Sequence, residues 1–367
     1  MVLFPQVQLI QEAFKDSVLA FKKHLTIFPV SEDVSIPDNR FKVLNRWRLV
    51  KRVIHQNKLK PDLVFFPWVD DFRFRKDHPL LDRYFVKWVG WFFPYKWTGL
   101  YLHPVHLRVP DSIHNRFHGY DIDDVFKIKN CTSVSVLDEG VREKLEEKIH
   151  KPVIRFPDFA EASLDYSSPF TDRLLKAANG RKIILLIGAL HNRKGLATLL
   201  KTADQSREKN WLFAFAGELF RNDFTAEELE LIDKQVENPA ENIFLYPNRI
   251  KDEGEFNSII NASHVIYAAY LDFPHTSNML NKASIFKKPL VVARGFYMDE
   301  TVKQLKIGEV IDESNPDDAK KAIEKILETP GYVNHEMLDG FEIYRERNSI
   351  SKLGPALGEV LKAAGLE

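Results

Sequence analysis

Only one cysteine, Cys131, stands in the 367 residues. A single thiol closes no internal disulfide and builds no thiolate-rich zinc site, which suits a reducing compartment. Net charge is lacking too: 52 Lys and Arg balance 52 Asp and Glu. No global field recruits nucleic acid, so any anion site must be local. No apolar run approaches the roughly 18 uncharged residues that a membrane-crossing helix needs. The first 21 residues mix acids and glutamines where a secretory signal has a basic start and an apolar core. These absences lead to the expectation of a cytoplasmic chain. Only 16 glycines occur, without repeats or low-complexity tracts, which excludes fibrous and disordered classes.

What is present is ordinary globular composition, 44% apolar and 28% charged, on a length that suits two domains. Short apolar runs alternate with amphipathic stretches. Val2 to Phe4 precedes Leu9 to His24, Leu25 to Phe28 precedes Phe41 to Asn57, and Asp62 to Phe66 precedes Leu80 to Phe93. Strands then follow at Gly99 to Leu102, Thr132 to Val136 and Val153 to Phe156, with a charged helix from Glu139 to His150. This rhythm predicts a parallel sheet flanked by helices.

The rhythm restarts with the buried-strand run Lys182 to Gly188, a helix from Leu196 to Lys209 and a strand from Trp211 to Ala216. Later strands are expected near Ile243, Val265, Leu290 and Glu309, and helices over 253–261, 278–286 and 316–328. Between the halves, Pro157 to Gly180 carries Ser167-Ser168-Pro169 and Asn179-Gly180 and reads as a linker with a boundary near residue 175. Ser351 to Leu366 is a helix-compatible tail. Two such sheets place ligands at the carboxyl ends of their strands.

The densest chemistry lies in Leu186-Ile187-Gly188-Ala189-Leu190-His191-Asn192-Arg193-Lys194-Gly195-Leu196. A strand ends in Gly188, a short loop carries two cations, and Gly195 opens a helix. A phosphate there would meet backbone N–H groups, the positive helix end and Lys194 together. The same residues also make a plain solvated basic loop.

From this loop onward the chain resembles the C-terminal domain of GT-B glycosyltransferases of the family 4, group 1 type. The residues that carry the resemblance are Gly188 through Leu196, Phe215-Ala216-Gly217-Glu218, Asn242 to Leu245 with Asn248-Arg249-Ile250, Ser263 to Tyr270, Pro274 to Lys288, Pro289 to Ala293 and Gly308 to Ile311. Together they span residues 182–330 in the family's order. The resemblance implies an α/β GT-B fold of two Rossmann-like domains facing across a cleft. Residues 1–170 would bind the acceptor, residues 171–345 the nucleotide sugar, and residues 346–367 would form a C-terminal helix available to pack back on the first domain. It further implies a hexosyltransferase-type enzyme that uses a nucleotide-diphosphate sugar, generally with retention, and needs no obligatory metal or cofactor.

The resemblance makes Lys194, with Arg193 beside it, the leading ligand of the donor diphosphate; Gly188 at the strand end and Ser277 and Asn278 at a helix N-terminus are the further candidates there. It places Asn248, Arg249 and Ile250 at the nucleoside; Lys282 is a further candidate there, and Asp272, His275 and Thr276, around the loop that enters the helix, are the candidates for the donor sugar. The second cation that often follows the strand glycine is Ala189 here. Pro274 and Lys282 occupy the two positions, eight residues apart, where family members commonly carry glutamates. Lys282 would bring a cation to the nucleotide in place of a carboxylate acceptor, and Asp272 would recover an acidic contact. Thr276 or Ser277 alternatively caps the following helix.

In the first half, Gly99 to Pro104 looks like the family's strand that ends in a cleft histidine. His103 is therefore the candidate that touches the sugar or acceptor, with Asp70 and Asp71 at the next strand end as acceptor contacts or a base. Each also reads as an ordinary surface group or cap. A zinc site from His103 and His106 lacks a third ligand. The family's glycine-rich turn after the first strand is replaced by Pro5 to Gln8.

Residues 72–97 hold ten aromatics with six Lys or Arg against two Asp. They suit a core helix with a sugar-binding rim, a protein partner, or a peripheral membrane contact near a lipid-linked acceptor. The reading reached is transfer of a sugar to a glycan or lipid-linked glycan in surface polysaccharide assembly, in the cytoplasm or at the inner membrane face. The alternatives are a lapsed nucleotide or glycan binder of the same fold and a sugar-nucleotide epimerase or hydrolase.

Overall fold

The computed structural model describes residues 2–3, 26–27, 42–72, 90–109, 122–165 and 168–366. They divide between two compact units, the smaller drawn from 1–62, 71–95 and 119–130, the larger from 63–70, 96–118 and 131–367.

In the smaller unit, β1 (Val2–Leu3) pairs in parallel with β2 (Thr26–Ile27). Helix α1 (Lys42–Gln56) buries Leu44, Trp47 and Ile54, residues spaced to share one face. Trp47 stacks on Phe93 at 5.4 Å and meets the edge of Phe72 at 5.9 Å. The expected helices over 9–24 and 80–93 lie outside the described residues, apart from the last turn of the second.

The larger unit contains two parallel sheets. The four-stranded one has the order β3-β4-β5-β6, from β3 (Val64–Phe66), β4 (Trp97–Tyr101), β5 (Val134–Val136) and β6 (Val153–Arg155). Its connections include α2 (Val105–Arg108) and α3 (Arg142–Ile149).

The six-stranded sheet runs β12-β11-β10-β7-β8-β9. Its members are β7 (Lys182–Ile187), β8 (Trp211–Ala216), β9 (Ile243–Tyr246), β10 (Val265–Ala268), β11 (Leu290–Ala293) and β12 (Gly308–Ile311). Every residue of β8 and β10 is buried, as expected of parallel strands covered on both faces. The covering helices are α4 (Pro169–Ala178), α5 (Leu196–Asp204), α6 (Ala226–Glu237), α7 (Glu253–Ala262), α8 (Asn278–Phe286), α9 (Phe296–Leu305), α10 (Pro316–Glu328) and α11 (His335–Arg347). A last helix, α12 (Leu353–Ala363), turns Ala356 and Val360 onto Ile154 and Phe156 at β6.

Helix α4 departs from the sequence reading. The segment taken as linker is extended only to about residue 165 and then forms this helix, with Phe170, Leu174 and Ala178 in the core. The turn residues mark its two ends. Ser168 caps the first turn by accepting from the Thr171 N–H at 3.1 Å, Pro169 takes the first helical position, and Asn179 adopts the left-handed conformation that ends it. Helix α5 is shorter than expected, ending at Asp204, and α6, α9 and α11 were not expected.

Candidate functional site

The strand order of the six-stranded sheet decides where a ligand can sit. From central β7 the chain moves outward through β8 to β9, then returns to β10 on the other side of β7 and continues to β12. Loops leaving β7 and β10 therefore diverge at their carboxyl ends and open a crevice at the switch point.

The β7 loop is built on glycines. Gly188 has φ +103 and Gly195 φ +73, both in the left-handed region. A Cβ on Gly217 would stand 1.8 Å from the Gly188 carbonyl, so the two strand-end turns approach as only glycine permits. Between Gly188 and Gly195, a single 3-10 turn (Asn192–Lys194) lifts the two cations toward the β10 loop. Lys194 Nζ donates to the Tyr270 hydroxyl at 2.8 Å and lies 3.9 Å from the centre of its ring. The Arg193 guanidinium stands 5.0 Å over Phe273, and the Arg193 carbonyl accepts from the Leu271 N–H at 2.8 Å. Each cation therefore faces an aromatic ring.

The β10 loop leads into the N-terminus of α8. Ser277 is the cap and accepts from the Met279 N–H at 3.3 Å, while Asn278 is exposed at the first turn. His275 and Thr276 are half-buried, and Pro274 is buried. Asp272 is exposed with φ +44, its N–H donating to Glu313 Oε1 at 3.2 Å.

His103 lies just beyond β4 and Asp70 beyond β3. The Asp70 carboxylate, 4% exposed, accepts from the N–H of Leu102 at 3.0 Å and of His103 at 2.6 Å, and pairs with His103 Nδ1 at 3.1 Å. Burial pushes the Asp70 pKa up, but the hydrogen bonds with His103 and Leu102 outweigh it and leave it below the usual carboxylate value. With Nδ1 turned to Asp70, Nε2 is the nitrogen left to face a substrate. Asp70 thus serves the chain's own donors, where the sequence reading offered it to an acceptor. Asp71 follows in the same 3-10 turn.

Rings link the two sheets' loops. His103 and His275 meet edge-to-face at 4.4 Å, His275 meets Phe273 at 5.2 Å, and Phe273 meets Tyr270 at 5.2 Å. Trp68 flanks His103 at 5.6 Å. Gly188, Arg193, Lys194, His275 and His103 are therefore brought to one locality, along with Tyr270, Phe273 and Trp68, which the sequence did not single out. Tyr270 follows the strand expected near Val265 and closes the family-like run Ser263 to Tyr270, which was its signal.

The nucleoside candidates stand elsewhere. Asn248 and Arg249 are exposed after β9 and Ile250 packs at the core's edge. Lys282 is fully buried, contrary to its reading as a cation offered to the nucleotide. Its ammonium donates to the Glu161 carbonyl at 2.8 Å and Asn257 Oδ1 at 2.6 Å, and pairs with Glu253. Three acceptors match its three protons.

Of the aromatic segment, Phe72, Phe93 and Trp97 are buried while Trp91 and Phe92 are exposed. Phe74, Tyr84, Phe85 and Trp88 lie outside the described residues. No described helix is long and apolar enough to cross a membrane. Among the described residues, no three His, Cys, Asp or Glu gather as a metal site.

Residues 169–339 match the family described as glycosyl transferases group 1. That segment, just under half of the chain, is similar to a group 1 glycosyltransferase domain. Solved structures extend the likeness in fold to the rest of the chain. Sucrose-phosphate synthase from Thermosynechococcus elongatus aligns with TM-score 0.62 at 14% identity, covering 92% of this chain and 82% of that one. Anabaena HepE in complex with UDP aligns with TM-score 0.62 at 11% identity and 99% coverage of both. A UDP-forming trehalose-phosphate synthase from Burkholderia xenovorans gives TM-score 0.59 at 14% identity, covering 89% of this chain and 80% of that one. A comparison with curated protein sequences finds no match. The GT-B architecture expected from the sequence is thus the observed one. The match of this segment, together with the fold, supports an enzyme of the hexosyltransferase type that takes a nucleotide sugar as donor.

Proposed function

We propose that the chain moves a sugar from a nucleotide-diphosphate sugar, with retention, to a glycan or lipid-linked glycan acceptor in surface polysaccharide assembly. The observation that carries the donor half is the meeting of the Arg193–Lys194 loop with the Tyr270 loop at the switch point, beside the capped N-terminus of α8. A departing diphosphate there gains the Lys194 ammonium, the Arg193 guanidinium and free N–H groups of the first helical turn as its charge develops. His103, its tautomer held by Asp70, presents Nε2 to the sugar or acceptor. Trp91 and Phe92, 90% and 48% exposed, support peripheral contact with a membrane that carries a lipid-linked acceptor.

Calorimetry against UDP, GDP, ADP and CMP and their sugar conjugates tests this. UDP comes first because the Anabaena HepE structure holds it. Lys194→Ala is expected to weaken diphosphate binding by roughly 10- to 100-fold, the range for loss of a charge-assisted hydrogen bond. Equal affinity in the wild type and the variant removes the central assignment. Pro274 and Lys282, both buried where the family commonly has glutamates, favour a second reading, a binder that no longer turns over its ligand. Donor hydrolysis without acceptor identifies the enzyme; tight binding with no turnover in any acceptor mixture identifies the binder.

A further inference from the structure

The loop that leaves β7 is gripped from two sides. Arg193 and Lys194 engage the β10 loop, through the Leu271 N–H and the Tyr270 hydroxyl. The two residues before them, His191 and Asn192, turn instead to the connection between β8 and α6. The backbone starts this second grip: the Leu190 N–H donates to the Glu218 carbonyl at 2.7 Å, and the Phe220 N–H to the Leu190 carbonyl at 3.1 Å. The His191 ring then stacks on Phe220, centroids 4.1 Å apart and planes 22° from parallel, while its Nδ1 hydrogen-bonds the Asp223 carboxylate. A carboxylate only accepts, so Nδ1 carries the proton. Asn192 Nδ2 donates to Glu228 Oε2 at 3.0 Å.

These anchors are themselves fixed to α6. Phe220 caps and Asp223 ends a 3-10 turn (Arg221–Asp223), whose Arg221 grips both oxygens of Asp233 in α6 at 2.6 and 2.7 Å. Glu228 closes the capping box of α6, its Oε2 accepting from the Thr225 N–H at 2.9 Å as well as from Asn192. From His191 the path to the cation is short: its carbonyl accepts the Lys194 N–H at 3.0 Å. The ammonium rides on a flexible four-carbon stem, so the seating of that backbone decides how closely it is held in place. We propose that His191 is a positioning residue for the donor diphosphate, its clasp between Phe220 and Asp223 setting where the Lys194 ammonium stands. This inference rests on the glycosyl-transfer reading above.

Calorimetry on the full chain with UDP, and with inorganic pyrophosphate as a diphosphate without a base, tests this. His191→Ala and Asp223→Ala are each expected to weaken binding of both roughly threefold to tenfold, the scale on which residues in contact couple. In a Lys194→Ala background neither substitution should lower UDP affinity further, because the clasp acts through that ammonium. Asp223→Asn, whose amide oxygen still accepts from Nδ1, keeps most of the wild-type affinity. Thermal stability should change little, since the Asp223 side chain is 45% exposed and a pair of that kind contributes little to folding. A merely structural clasp would instead lower Tm and leave both affinities alone. Wild-type affinity in His191→Ala and Asp223→Ala, or losses that persist undiminished in the Lys194→Ala background, overturn the inference alone. A wild type that binds neither probe, or a Lys194→Ala variant that binds both as tightly as wild type, overturns the diphosphate assignment and this role with it.

Discussion

At Lys282 the family's residue type and the local environment pull apart. The ammonium is walled in by the Glu161 carbonyl, Asn257 Oδ1 and Glu253, all acceptors. Restoring the glutamate common in the family, Lys282→Glu, would press a carboxylate against those oxygens. It is expected to destabilise the fold by about 3 kcal/mol or more, the cost of an uncompensated buried charge, read as a fall in Tm, and to restore no activity. A variant as stable as wild type would show that the three contacts do not form. The sequence revealed the substitution because its position in the motif was legible. It could not reveal the burial, since the acceptors come from residues 25 to 121 positions away. His103 and Asp70 show the reverse. Both were visible as residues at strand ends, but only the fold shows that the carboxylate serves the histidine.

Among the elements, the close contact of the turns after β7 and β8 is the most sharply constrained. Gly217 has φ +144 and no room for a Cβ beside the Gly188 carbonyl. Gly217→Ala is expected to cost about 3 kcal/mol, combining strain at a glycine-only conformation with displacement of backbone. A denaturant midpoint unchanged from wild type would show that the turns move apart freely. Strands were the most legible elements because their apolar runs are continuous: β7, β8, β10 and β11 lie within a residue or so of where the runs place them. Helix α4 was hidden because its capping signals, Ser168-Pro169 and Asn179-Gly180, are the same residue types that open a linker. The Tyr270–Phe273 platform was hidden for another reason: aromatic residues after a strand look alike whether they line a core or a crevice.

Across the whole molecule, two half-buried groups set opposing pH responses. His264, whose Nδ1 accepts the Ile183 N–H at 3.1 Å, is held down to about 4 by burial and by the nearby Lys182 and Lys288 charges. Its folded pKa lies below its unfolded value near 6.5, so the unfolded chain binds the extra proton and stability is lost as pH falls from 6.5 toward 4. Asp158 is shifted the other way, from 3.8 to about 6, so the folded chain binds the extra proton and stability is lost as pH rises across much of the same window. The two contributions oppose each other. Asp158→Asn is expected to unmask a Tm that increases from pH 4 to 6.5 more steeply than in the wild type. Parallel Tm curves for the two proteins would show that Asp158 titrates alike in the folded and unfolded chain.

Helix α12 gives the last residues of the chain a hold on one of its earlier sheets. Ile154 and Phe156 find their cover in Ala356 and Val360, about 200 residues later. During synthesis at about 5–20 residues per second, that apolar patch stays open for roughly 10 to 40 s before its lid has been made. A ribosome-bound fragment ending before residue 353 therefore carries the sticky face of β6 uncovered, and over that interval it is a natural client for chaperones that shield nascent chains.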